Sequence, residues 1–208
     1  MATLALNKAS LHRERNALRT YRRFLPSLDL KRRQLMAELA KARAELAARQ
    51  SEAAQAPARA ARGLPMLADE EIDLDGLVRI EEVRLGEINQ LGVRLPVLED
   101  VRFVTHDYGL LVKPHWVDEV VAEVQRAARL RLMLQVAQER VRRLELAVRK
   151  TTQRVNLFEK VLIPTALKSI QRIEIYLADA ERAGVVRSKI AKGKHAEARA
   201  GLLGEPAP

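Results

Sequence analysis

The sequence has no cysteine and very few aromatic residues. Without cysteine there is no disulfide, no thiolate metal site and no cysteine nucleophile. Aromatics make up 3% of the 208 residues, while Ala, Leu, Arg, Glu and Val dominate. Such a composition suits long helices and serves a sheet-rich core poorly. No run of about 18 apolar residues occurs, so no segment reads as a membrane span. Asn7 and Lys8 interrupt the first apolar residues before a signal-peptide core develops. The chain is therefore expected to be soluble and cytoplasmic.

Catalytic and ligand-binding motifs are also missing. Gly193-Lys194 runs into His195 and lacks the upstream glycine of a phosphate-binding loop. No Gly-x-Ser-x-Gly elbow occurs. His12, His106, His115 and His195 have neither metal-ligand spacing nor an acidic neighbour arranged for catalysis. Glu71, Asp73, Asp75, Gly76 and Glu82 match the spacing of an EF-hand calcium loop. Arg79, however, puts a positive charge at a ligand position, and Gly63 and Pro65 spoil the entering helix. An acidic, solvated linker is the expected reading. No catalytic residue, metal or cofactor is expected.

What the chain does have is heptads. Val120, Ala127, Leu134, Val141, Val148, Val155 and Leu162 form one unbroken track, and Leu130, Ala137, Leu144, Thr151 and Phe158 form a second. Apolar residues at alternating spacings of three and four mark a helix that packs along a partner. The stretch Val117–Ile163 has no internal Gly or Pro and at 1.5 Å per residue would extend roughly 70 Å. Beyond Pro164 the apolar set becomes Ile163, Ile170, Ile173 and Leu177, one residue out of phase.

The N-terminal arm supplies the partner. Leu4, Leu11, Leu18, Leu25, Leu39 and Leu46 share a track interrupted by Arg32, with Tyr21, Leu28, Leu35 and Ala42 beside it. The expected fold is all-α dominated: a long antiparallel coiled coil of N- and C-terminal helices, with a small irregular cap containing one or two β-hairpins. Its seam comprises Leu18, Leu25, Leu28, Leu35, Leu39, Leu46, Val120, Leu134, Val141, Leu144, Val148, Val155 and Phe158, in a register that sets Leu46 opposite Leu144. Pro26 predicts a kink or short break near Arg22–Phe24, and Pro164 another in the second arm.

Residues 1–56 thus read as the first helix and 57–116 as the cap. Residues 117–186 read as the second helix, kinked near Pro164, and 187–208 as a mobile basic tail. Within the cap, Val101–Val104 and Leu110–Val112 flank a turn signal at Asp107-Tyr108-Gly109. Net charge is +8 over residues 1–50, −5 over 51–116 and +7 over 117–208. Two basic arms around an acidic middle suit insertion into something acidic. On charge alone, a structural coiled-coil protein binding nucleic acid is the alternative.

Residues 150–164 carry more specific information. Lys150, Thr151, Arg154, Val155, Asn156, Glu159, Ile163 and Pro164 resemble the signature of the D subunit of V-type (vacuolar and archaeal-type) ATPases and ATP synthases. Gln153 stands where that family usually has a second basic residue. Leu30-Lys31-Arg32 with Leu35-Met36, and Asn89–Pro96, resemble two further stretches of the family. The resemblance implies a non-catalytic central-stalk rotor, peripheral to the membrane through its complex. Its partners would be the hexamer of A and B subunits, the F subunit and the funnel subunit (C or d) on the membrane ring. It would couple ATP hydrolysis or synthesis in the hexamer to proton or sodium-ion transport.

Overall fold

The computed structural model describes residues 5–63, 78–105 and 116–203. Helix α1 covers Lys8–Gly63, strands β1 and β2 cover Val78–Gln90 and Val93–Thr105, and helix α2 covers Trp116–Leu157. A π-helical turn, Phe158–Leu162, leads into helix α3, Ile163–Leu203. The chain is thus mostly helical with one small antiparallel sheet. Residues 1–28 with 153–208 form one compact unit, and residues 29–152 form a second.

Helix α1 starts where Asn7 caps it: the Ser10 N–H donates to the Asn7 side-chain oxygen at 2.7 Å. It runs on without a break through Pro26 and past Pro57 to Gly63. Proline at position 26 cannot serve the carbonyl of Arg22, but both residues are exposed, so water can. The break expected at Arg22–Phe24 is therefore absent, and the first helix outlasts residue 56. Helix α3 likewise continues over residues 187–203, where the sequence suggests a tail. Ala-rich sequence there offsets what Gly193 costs a helix.

The unit 29–152 holds the hairpin. β1 and β2 pair antiparallel around a two-residue turn, Leu91-Gly92, in which both residues have positive φ, 53° and 80°. That conformation matches the twist of the flanking strands. Asn89 reinforces it by accepting the Gly92 N–H at 3.0 Å. The ladder has two irregularities, between Ile80 and Glu82 and between Arg84 and Leu85. At the second, the Glu99 side chain lies over Gly86 so closely that a Cβ there would sit 2.1 Å from the carboxylate. Gly86 is thus a site of close approach inside one long strand. Pro96 lies within β2, tolerable because each strand of a two-stranded sheet has an unpaired edge. This is the one hairpin among the described residues. Asp107–Gly109, Leu110–Val112, His106, His115 and the carboxylates of Glu71, Asp73 and Asp75 lie outside them.

β2 is the inner strand. Leu95, 1% exposed, joins Leu35, Leu39, Ala42, Val141 and Leu144 in one cluster, with Leu46, Val93, Ala147 and Val148 packed around it. Trp116, Val117, Val120 and Val121 form a second cluster that Val78 covers. β1 faces outward and is nearly all exposed.

Candidate interaction surface of the paired helices

Every seam residue named from the sequence is buried or half-buried. In the unit 29–152, Leu35, Leu39, Val120, Val141 and Leu144 are buried, while Leu46, Leu134 and Val148 are half-buried. In the other unit Val155 is buried, and Leu18, Leu25, Leu28 and Phe158 are half-buried. Phe158 meets Tyr21 edge-to-face, with ring centroids 5.5 Å apart. Thr151 carries a hydroxyl into the seam at 8% exposure and donates it to the Ala147 carbonyl at 2.8 Å. That local bond removes the penalty of burying it.

The π turn explains the change of phase at Pro164. Buried positions run Val141, Leu144, Thr151, Val155 before the turn and Ala166, Ile170, Ile173 after it. From Val155 to Ile170, and from Thr151 to Ala166, the spacing is two heptads plus one residue. A π turn closes hydrogen bonds five residues apart, so it absorbs one residue without rotating the seam off its partner. Its last bond runs from the Ile163 N–H to the Phe158 carbonyl. The sequence shows the slip and the proline, but not the turn that reconciles them; it also gives no sign that Ala166 is buried.

Cross-helix ion pairs flank the seam. Lys8–Glu181 and Arg15–Glu174 lie one heptad apart on each helix in opposite senses, as antiparallel packing requires. In the other unit Arg43 pairs with Glu145 at 2.6 Å and Glu45 with Arg140 at 3.2 Å. Such exposed pairs steer register more than they add stability.

Charged contacts tie the hairpin to α2: Arg129 pairs with Asp100 at 3.8 Å, and a larger junction centres on Arg143. Arg143 donates to Glu139 at 2.8 Å and to the Arg94 carbonyl at 2.9 Å, and pairs with Glu87 at 3.5 Å. Arg142 adds two bonds to Glu139, at 2.6 and 2.8 Å. These hydrogen bonds, Arg142's first, hold the Glu139 carboxyl at a pKa of about 2, and they raise those of both arginines.

The signature residues divide between inside and outside. Thr151 and Val155 are buried, and Ile163, Pro164 and Arg32 are half-buried. Lys31, Lys150, Arg154, Asn156 and Glu159 are exposed. Arg32 is held by Asp29 at 2.6 Å. Ala127, although on the heptad track, is exposed and lines a groove of about 570 Å³ between residues 49–60 of α1 and 119–133 of α2. Alanines at 56, 60, 122 and 127 contribute too little side chain to close the seam there. No three acidic or imidazole side chains among the described residues are placed to hold a metal ion. No described helix is long and apolar enough to cross a membrane. The outward positions of these helices mix charged residues with exposed apolar ones such as Phe24, Leu157 and Ile175.

Known proteins resemble this chain over most of its length. Residues 10–193 match the family model described as the D subunit of ATP synthase. The D subunit of the V-type ATP synthase of Borreliella burgdorferi is 31% identical over 192 residues, covering 92% of this chain and 95% of that protein. Its counterpart from Chlamydia muridarum is 33% identical over 198 residues, with the same two coverages.

Proposed function

Because this chain belongs to the family of ATP synthase D subunits, we propose that it is the central rotor shaft of a V-type rotary ATPase. In this reading the paired terminal helices stand inside a hexamer of A and B subunits, where the ATP chemistry occurs. An F subunit clasps the exposed shaft, and a funnel subunit links it to the membrane ring that carries protons or sodium ions. The chain itself performs no catalysis; it transmits torque.

The observation that carries the reading is the heptad seam, buried at matching positions in both units and kept in phase by the π turn. Each buried Leu, Ile or Val contributes about 1.5–3 kcal/mol. A row of them resists separation of two helices under load. The outward positions mix charged residues with exposed apolar side chains such as Phe24 and Ile175, and a net charge of +10 suits an acidic sleeve by steering association. An asymmetric shaft also presents a different face to each of several equivalent catalytic interfaces, which is how one rotor can set them in different states.

Reconstitution tests this directly. Complexes of A, B and F with the membrane ring should couple ATP hydrolysis to ion transport only when this chain is included. Full coupling without it would overturn the proposal.

A further inference from the structure

The π turn and Pro164 together leave the Glu159 carbonyl without its helical donor. In a helix, the Glu159 carbonyl would be served by the N–H of Ile163, or by that of residue 164 if the ladder stays π-helical. The Ile163 N–H is already given to Phe158, and Pro164 has no N–H to give. Glu159 is exposed, so its carbonyl faces water without a helical donor.

The side chain of the same residue is also unused. Glu159 forms no hydrogen bond or ion pair with any described residue. Its own helix offers no cation at the neighbouring positions: Val155, Asn156, Leu162 and Ile163 occupy the three- and four-residue spacings. Lys160 follows it in sequence, and adjacent helical residues do not face one another. In the same unit Glu174, Asp179 and Glu181 are each paired within the chain, while Glu14, like Glu159, is not. Around Glu159, Leu157 and Val161 are 46% and 50% exposed, and Asn156 presents an amide one turn earlier.

We propose that the outer face of the π turn is a docking point for a cationic side chain on the protein that surrounds the helices. An arginine or lysine would take the Glu159 carboxylate and the open Glu159 carbonyl together, while Leu157 and Val161 shelter the contact. The partner's chemistry follows from what is on offer. A carboxylate and an unserved carbonyl are acceptors only, and among protein side chains a donor-rich cation makes the strongest bonds to such a pair. A chain of +10 otherwise repels such a group, so an isolated acceptor site selects where it lands. The inference rests on the shaft reading, with the surrounding ring as the source of the cation.

The test is binding of full-length variants to the purified hexamer of A and B subunits at several salt concentrations. Glu159→Gln should weaken association about tenfold or more and flatten its salt dependence. Asp179→Asn, removing the same charge from a residue already paired with Arg182, should leave binding unchanged. If the parent chain binds but Glu159→Gln binds equally at every salt concentration, the docking point is wrong and the shaft reading stands. If the parent chain does not bind the hexamer at all, the shaft reading falls and this inference with it.

Discussion

Leu144 is 1% exposed and sits among Leu35, Leu39, Ala42 and Leu95, so truncating it leaves a hole walled by three elements. Leu144→Ala should cost about 2–5 kcal/mol, read from the shift in a denaturant unfolding curve. An aspartate at the neighbouring Val141 should cost more, because an unpaired charge in that position has no donor to meet it. Normal helicity and assembly in Val141→Asp would count against a packed seam. Glu139 gives a second prediction at this scale. Its folded pKa, about 2, lies below the usual 4.5, so its ionised form stabilises the fold above that value. The contribution fades as pH falls from 4.5 to about 2, through the folded pKa. Glu139→Gln should therefore be less stable than the parent at neutral pH and converge with it near pH 2. A stability gap that stays constant across that window would contradict the assignment.

At the scale of elements, the helices and their facing stripes are legible in the sequence and the turns between them are not. Residues such as Leu35, Val141 and Val155 announce themselves because a seven-residue repeat survives substitution at any one position. Cysteines at Leu46 and Leu144, which share one cluster, should crosslink under mild oxidation; preferential pairing of Leu46 a full heptad away would contradict the packing. The π turn stays hidden because it depends on one extra residue and one proline, visible only as a slip from Leu162 to Ile163. The hairpin is obscured at Gly86, where glycine suggests a break but instead makes room for the Glu99 side chain. Its true turn, Leu91-Gly92, places a leucine at φ 53°, which no turn rule would choose. Leu91→Asn, better suited to that conformation, should raise stability by up to about 1 kcal/mol in thermal unfolding. The outward half of the signature is legible as residue types, but that Asn156 and Glu159 face solvent follows only from the helix phase on either side of the turn.

For the whole molecule, membership in the family of ATP synthase D subunits joins the two scales into one proposal. A seam that holds two helices in register is useful to a rotor because torque applied at one place must arrive at another. Charge alone would have allowed a nucleic-acid binder, whose affinity should collapse with salt; a seam-built shaft held by a protein sleeve should lose far less. The decisive measurement is rotation itself. With the A and B hexamer fixed to a surface and a bead attached through a cysteine at Leu85 on the exposed strand β1, ATP should drive the bead in one direction in regular steps. Hydrolysis at full rate with the bead stationary, or turning in both directions equally, would contradict the account.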